Sequence, residues 1–236
     1  MDTNNVSFTK EMRLATREIH NISDALVNAK LAFALYDNSV WAEGLLIFYE
    51  IFKFLEQNVS HEYLPEEFHR THQFELDLQF YLGNSWNQNY QPRKEVRSYL
   101  EHLTKIQREK PILLVAYVYH LYMGLLSGGQ ILQKRKNISR KLNPFAGKGS
   151  TEGAALTTFE GHSIHQLKKT MRKLIDELGD RLDDETRQQM VVESRKVFDL
   201  NNGVIRTVSG VNRANVKIVI FVLMVILAYF ALRIVF

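Results

Sequence analysis

The sequence predicts an all-α fold, with a single helical domain followed by a C-terminal transmembrane helix. Apolar residues recur at steps of three and four through most of the 236 residues, strand-like alternation is hard to find, and there are only 4 prolines. A chain of this length can bury a sizeable core without cross-links. We therefore expect one helical domain over residues 1–210 and a membrane tail over 211–236.

The expected helices follow one another with a turn or a proline between them. Pro92 and Pro111 fall in first turns, where proline is tolerated, and Gly83 closes the third helix. The expected ranges are 8–27, 40–57, 68–81, 92–107, a glycine-bearing helix from 111 onward, 163–178 and 184–208. Residues 143–150 are rich in turn formers and make one long loop.

The C-terminal run predicts a membrane anchor. Residues 218–232 carry no charge, and residues 234–236 extend the run toward the roughly 20 residues that span a bilayer. Arg206, Arg213 and Lys217 precede it, so the positive-inside rule keeps the domain in the cytosol. Since the N-terminus has no signal-peptide apolar region, we expect a single-pass tail anchor at about 218–236.

Composition excludes several classes of function. The chain has no cysteine, which excludes disulfides, thiol nucleophiles and thiolate metal ligands. A nucleophile elbow, a Walker loop, a dinucleotide fingerprint and a His-Glu-X-X-His motif are all missing. The net charge is +4, but the basic clusters at 134–141 and 168–173 lack interleaved aromatics, so we expect no nucleic-acid partner.

One helix is unusually bare of side chains. Gly124, Gly128, Gly129 and Ser127 interrupt an otherwise apolar helical run. Each interior glycine costs about 0.5–1 kcal/mol relative to alanine, so some contact must require the missing side chains. Gly124 and Gly128 lie four residues apart and share a face. Either a second helix packs closely there, or a flat ligand lies against the backbone.

Two histidines are candidate metal ligands. His20 precedes Asp24 by one helical turn, so the carboxylate can fix the imidazole tautomer for metal binding. His120 lies one turn before Gly124 and faces the same way, which makes it the rival ligand. A structural role is the alternative for each histidine.

Cations fall where they can border a slot between the first helix and the glycine helix. Arg13 shares the first helix with His20, whereas Lys168 and Arg172 lie on a later helix. Guanidinium and ammonium groups pair well with carboxylates at a solvent edge, so this set suits a flat apolar dianion. Solvation on an exposed helix face is the alternative for each cation.

Four segments together carry a resemblance to a known family: 14–20 (Leu-Ala-Thr-Arg-Glu-Ile-His), 64–70 (Leu-Pro-Glu-Glu-Phe-His-Arg), 126–130 (Leu-Ser-Gly-Gly-Gln) and 192–201, with Val192-Glu-Ser-Arg-Lys-Val-Phe198 and Leu200-Asn201. The chain resembles a haem (heme) oxygenase of the membrane-anchored animal type, over about residues 8–208 plus the anchor. The resemblance implies cleavage of heme at one meso carbon with dioxygen and electrons from an NADPH-dependent cytochrome reductase. The implied products are biliverdin, ferrous iron and carbon monoxide. It also implies a biliverdin reductase downstream and a place on the cytosolic face of the endoplasmic reticulum membrane.

The resemblance assigns roles to particular residues. It implies that His20 is the proximal iron ligand, in place of His120, and that the helix of Gly124 and Gly128 is a kinked distal wall close to the iron. No other catalytic residue is assigned. The positions implied to hold the heme propionates and edge are Arg13, Tyr119, Lys168 and Arg172.

Three positions depart from the family pattern. Members usually carry an aspartate after the first distal glycine, an arginine three residues before that glycine and a tyrosine on the second helix. Here those positions are Leu125, Leu121 and Phe52. The polar groups hold a water network, and losing a positioned donor of this kind can cost about 100-fold or more in rate. Two alternatives therefore stand beside heme cleavage: a slow or non-enzymatic heme binder, and a membrane-tethered interaction protein without a cofactor.

Overall fold

The structure, a computed structural model, describes residues 6–35, 37–142 and 152–208. Over those ranges it is helical and contains no strand, so the all-α prediction is confirmed. The predicted long loop at 143–150 lies outside the described residues. The helices are α1 (Phe8–Ala34), α2 (Asn38–Asn58), α3 (Thr71–Leu82), α4 (Lys94–Glu109), α5 (Leu114–Gly124), α6 (Gln130–Leu142), α7 (Ile164–Gly179) and α8 (Asp184–Arg206).

Local chemistry accounts for several helix boundaries. The Asp37 carboxylate accepts a hydrogen bond from the Ser39 backbone N–H at 2.9 Å and begins α2, and Asp183 caps α8 in the same way through Thr186. Most helix ends lie within two residues of the prediction, and two differ by three residues or more. Helix α1 runs to Ala34 rather than ending at 27, and the third helix begins at Thr71 because residues 66–68 form a separate 3-10 turn.

The glycine-bearing helix is not a uniform α-helix. A 3-10 turn at Pro111–Leu113 leads into α5, and a π-helical segment, Leu125–Gly129, joins α5 to α6. A π-helix hydrogen-bonds across five residues instead of four, is rare, and is frequent at functional sites. The irregular segment coincides with the glycines that the sequence singles out.

Four helices, α1, α5, α7 and α8, pack together. Helix α8 packs along α1 and also contacts α5, while α7 contacts both α1 and α5. Gly179 ends α7 against Phe8, where an added Cβ would lie 2.4 Å from the Phe8 Cβ, so only glycine allows this approach of α7 to α1. The core behind them is largely aliphatic and aromatic, and it includes fully buried Tyr99 and Tyr117.

Basic side chains fasten the end of α8. Lys30 Nζ donates to the backbone carbonyls of Val208 at 2.9 Å and Arg206 at 3.4 Å. Arg93 donates to the Thr207 carbonyl and hydroxyl and pairs with Glu43 at 2.7 Å. Cations are favourable at a helix C-terminus, where the last carbonyls lack helical partners. The last described residues are therefore fixed to α1 and to the start of α4.

Among the described residues, one helical stretch, Pro111–Ser139, is long and apolar enough to cross a bilayer. It contains α5, most of whose residues belong to the buried core, so its apolar character is explained by packing. The predicted anchor at 218–236 lies outside the described residues.

Candidate functional site

The glycine face is open. Gly124 and Gly128 are exposed, and a Cβ added to either would meet no atom within 4 Å. Among the described residues, then, no second helix packs against this face, and of the two explanations for the glycines the ligand-facing one is favoured. Gly129 points elsewhere, since its Cβ would lie 2.9 Å from Leu125 Cδ1.

His20 is held by its own helix. Its Nδ1 lies 3.1 Å from Asp24 Oδ2, one turn further along α1. The side chain is 52% exposed, and its ring meets Phe198 of α8 edge-on at 5.4 Å between centroids. No described residue hydrogen-bonds Nε2, so a ring held through Nδ1 presents its second nitrogen to a ligand.

His120 contacts the same phenylalanine. Its ring centroid is 5.0 Å from that of Phe198, again edge-on. The Nε2 atom is buried and has no hydrogen-bond partner among the described residues. Burial, together with the charge of His20, lowers the pKa of His120 to about 3, so the ring is neutral at physiological pH.

Three of the four residues expected at the heme edge lie together where α1, α5 and α7 meet. Tyr119 is buried, with its hydroxyl 3.5 Å from the Thr9 carbonyl. Burial raises the pKa of the Tyr119 hydroxyl, and the positive charges of Arg13 and Arg172 oppose that rise, which places both guanidinium groups near it. Lys168 lies one turn before Arg172 on α7 and is partly buried.

Apolar side chains occupy the positions where the family pattern has polar groups. Leu121 is buried and Leu125 is partly buried against the core. The Phe52 ring packs 4.8 Å from Tyr122 and 5.1 Å from Phe74. No polar atom comes from any of the three positions, and the wall beside the glycine face is apolar there.

Sequence reasoning missed two hydrogen-bond networks behind this wall. Glu56 accepts from the Tyr122 hydroxyl at 2.8 Å, from the Arg70 backbone N–H at 2.5 Å, and from the Thr71 N–H at 3.1 Å and its hydroxyl at 2.5 Å. Buried Arg70 also donates to the Thr158 carbonyl at 2.8 Å and stacks over Phe159. The only sequence signal was Arg70 itself, at the end of a family segment.

The second network joins α4, α5 and α8. Tyr117 donates to Glu193 Oε2 at 2.5 Å, and His102 Nε2 lies 2.8 Å from the Tyr117 hydroxyl and 3.1 Å from Glu193 Oε2. Nearby, Tyr99 donates to Asn201 Oδ1 at 3.2 Å. Because these partners lie far apart in sequence, no local pattern could reveal them.

The donor set suits heme. One helix offers an imidazole nitrogen, the facing helix offers bare backbone, an edge offers two guanidinium groups, and a buried imidazole lacks a partner. A flat ring with a central metal and acidic groups on one edge matches each of these features. Among the described residues no cluster of three or more His, Cys, Asp or Glu side chains offers a protein-only metal site.

Known proteins give an independent comparison. The family model for heme oxygenase matches residues 6–207. A heme oxygenase from Guillardia theta is 30% identical over 203 residues, which cover 81% of each chain. Heme oxygenase 1 from Pongo abelii is 30% identical over 207 residues, covering 82% of this chain and 68% of its own.

Solved structures agree with the sequence relatives. The crystal structure of heme oxygenase 2 from Chlamydomonas reinhardtii without heme matches with a TM-score of 0.77 at 30% identity, over 86% of this chain and 98% of that one. The crystal structure of heme oxygenase-1 from the cyanobacterium Synechocystis in complex with heme matches with a TM-score of 0.78 at 25% identity, over 93% and 100%.

Heme oxygenases bind heme as both substrate and prosthetic group, degrade it, and generally depend on a reductase. The match in this chain covers nearly all of the helical domain and coincides with the residues that suit heme. From its sequence and its fold alike, this chain belongs to the heme oxygenase family.

Proposed function

We propose that this protein cleaves heme to biliverdin, ferrous iron and carbon monoxide, with dioxygen and electrons from an NADPH-dependent cytochrome reductase. The observation that carries the proposal is the pairing of His20, fixed through Asp24 at 3.1 Å, with the open glycine face of α5 and the π segment. Bound heme would supply the iron that activates oxygen and the ring that is attacked. The residues of this chain would supply ligation, orientation and exclusion of water.

His20 is the proposed iron ligand. With its Nδ1–H donated to Asp24, the lone pair of Nε2 is available for a metal, and the carboxylate makes the imidazole a stronger ligand. The Phe198 ring, edge-on to His20, limits rotation of the imidazole. His120 is not the proposed ligand, because its Nε2 atom is buried whereas the side chain of His20 is half exposed.

The glycine face is the proposed oxygen side. Without Cβ atoms at Gly124 and Gly128, the backbone would let a flat ring such as heme lie close to it. Ser127 and carbonyls released by the π segment are polar groups within the same turn. A closely apposed helix also keeps bulk water from the reacting carbon.

Arg13, Tyr119, Lys168 and Arg172 are proposed to hold the propionates. Guanidinium groups make charge-assisted hydrogen bonds to carboxylates, so their position on one edge would set the rotation of a bound heme and with it the meso carbon that is cleaved. Arg17, one turn after Arg13 on α1, is also exposed and offers a matched comparison. Arg13→Ala should weaken heme binding or change the biliverdin isomer, whereas Arg17→Ala should do neither.

The finer surroundings are also proposed. We place the helical domain at 1–210, and the tail 211–236 anchors it to the cytosolic face of the endoplasmic reticulum membrane through a span at about 218–236. A biliverdin reductase would act on the product. These assignments rest on the apolar C-terminal run and on the basic residues before it.

A second function is favoured by specific residues. Leu121, Leu125 and Phe52 put apolar side chains at three positions where the family pattern has polar ones. That composition suits a membrane-tethered heme binder with slow or no turnover. A membrane-tethered interaction protein without a cofactor would leave the open glycine face unexplained.

One experiment separates these functions. The full chain in detergent is loaded with heme and given reductase and NADPH, while absorption and released carbon monoxide are followed. Carbon monoxide with biliverdin supports the oxygenase, a stable heme spectrum without products supports the binder, and no heme spectrum refutes both. His20→Ala should lose the imidazole-ligated spectrum and regain it with added imidazole. The control, His72→Ala, removes an exposed histidine that is also near a carboxylate, Glu75 at 3.9 Å.

A further inference from the structure

The Nε2 atom of His120 is a buried polar atom without a partner. Among the described residues the buried side-chain nitrogen and oxygen atoms in this position are His120 Nε2, Trp41 Nε1 and Asn202 Oδ1. Most buried polar side-chain atoms in proteins are hydrogen-bonded, and exceptions call for a water, an ion or a ligand. Of the three, His120 has a ring contact with Phe198, which also contacts the proposed iron ligand.

The other polar side chains of α5 are already satisfied. The Tyr117 hydroxyl bonds to Glu193, the Tyr122 hydroxyl to Glu56, and the Tyr119 hydroxyl lies 3.5 Å from the Thr9 carbonyl. Each of these bonds is made to protein. His120 is the member of this helix left with a hydrogen-bonding atom to spare.

The position of His120 relates it to the heme site. It lies four residues before Gly124, on the same face of α5. Its ring and that of His20 contact Phe198 at 5.0 and 5.4 Å. His120 is thus carried by the helix of the glycine face and shares a ring neighbour with His20.

We propose that His120 is a positioning residue whose Nε2 holds an ordered water on the oxygen side of the heme, in place of the polar groups missing at Phe52, Leu121 and Leu125. The proposal rests on the proposed function. A neutral imidazole can donate or accept at Nε2, and a water held there reaches an iron-bound ligand that the side chain itself does not touch. One buried nitrogen would restore the hydrogen-bond donor that the leucines remove.

The test uses the full chain in detergent with bound ferrous heme and carbon monoxide as the probe. His120→Phe keeps an aromatic ring against Phe198 and removes both nitrogens, whereas His120→Gln keeps a hydrogen-bonding side chain. In wild type the C–O stretching band should change between H₂O and D₂O. His120→Phe should move the band to higher wavenumber and abolish the solvent dependence, His120→Gln should restore part of it, and turnover in His120→Phe should fall by about 100-fold.

The outcomes separate this proposal from the proposed function. If wild type binds no heme, both fall. If heme binds but the band and its solvent dependence are the same in wild type and His120→Phe, only the role of His120 falls. Circular dichroism and a thermal midpoint verify that each variant folds, and His72→Phe, an exposed histidine on α3, provides the control. Should His120→Phe not fold, the same band in His120→Gln and its D₂O shift decide the matter.

Discussion

The helix α5 and the π segment after it carry two kinds of position, paired and open. The Tyr117 and Tyr122 hydroxyls are paired, since they bond to Glu193 and Glu56. His120 Nε2, by contrast, has no partner among the described residues, and Gly124 and Gly128 face open space. The paired positions fix the helix, and the open positions suit a ligand that the chain does not supply. Removing groups from the paired positions should cost stability, and changing the open positions should cost ligand binding.

The largest expected effect is a loss of stability when a paired position loses its partner. Glu56→Ala strands the Tyr122 hydroxyl and the backbone donors of Arg70 and Thr71, so the free energy of unfolding should fall by about 3–5 kcal/mol. Urea unfolding measures the change. Glu101→Ala, an exposed glutamate on α4, is the control and should change little. A loss below about 1 kcal/mol would show that the network is not what fixes the helix.

The next largest expected effect is on turnover, when Leu125 beside the glycine face is replaced. Leu125→Asp returns a carboxylate next to Gly124, so turnover should rise by up to about 100-fold or the product should change. Leu125→Ala shortens the same side chain without adding a polar group and should not reproduce the gain. The turnover of the three proteins is measured as carbon monoxide release at the same reductase concentration. Equal turnover and product in all three proteins would mean that the leucine does not limit catalysis.

A smaller expected effect is the pH dependence of stability that comes from His120, at an open position. Burial lowers the pKa of His120 to about 3 from an ordinary value of 6.5. Between these values the unfolded chain binds a proton that the folded chain does not, so stability is present above pH 6.5 and is lost as pH falls. This group should contribute a slope of up to about 1.4 kcal/mol per pH unit. The free energy of unfolding is measured against pH for heme-free wild type and His120→Phe, and the difference between them isolates the contribution of His120. If the two proteins lose stability in parallel between pH 6 and 4, the buried, neutral state of His120 is contradicted.

The smallest expected effect has opposite signs for folding and for binding. Gly128→Ala should stabilise the heme-free protein by about 0.5–1 kcal/mol, since the new methyl group meets no atom within 4 Å. Heme affinity should fall, because the same methyl group fills the oxygen side. Gly44→Ala on α2 also has open space and should stabilise without affecting heme. Thermal unfolding measures the change in stability, and heme titration measures the change in affinity. Unchanged heme affinity in Gly128→Ala would place the ligand elsewhere.

The sequence predicts what is local and misses what is not. The 3.1 Å contact between His20 and Asp24 follows from a spacing of four on one helix, and hydrophobic periodicity locates the helices to within a few residues apart from the far end of α1. The grouping of Arg13, Tyr119 and Arg172 depends on how α7 packs against α1 and α5, which no spacing encodes. That His120 lacks a partner depends on every neighbouring helix.

The π segment shows the same division. Glycines at 124, 128 and 129 indicate that a regular helix is disfavoured, but they do not determine whether the chain kinks, breaks or takes up a longer hydrogen-bond period. The choice is made by packing on both sides, including the contact of Leu125 with Gly129. Which backbone carbonyls face the slot therefore becomes known only from the fold.

Because Lys30 and Arg93 hold the C-terminal end of α8, the distance between the helical domain and a membrane is limited. The described part of the domain ends at Val208, and side chains from α1 and from the start of α4 hold this end in place. Residues 209–217 lie between that point and Ile218, where the uncharged run begins, and the chain from residue 208 to residue 218 can extend to at most about 35 Å. If that run enters a bilayer, the exit point is tethered within about one domain diameter of the lipid surface, and any electron-donating partner in the same membrane needs to search a thin layer rather than the whole cytosol.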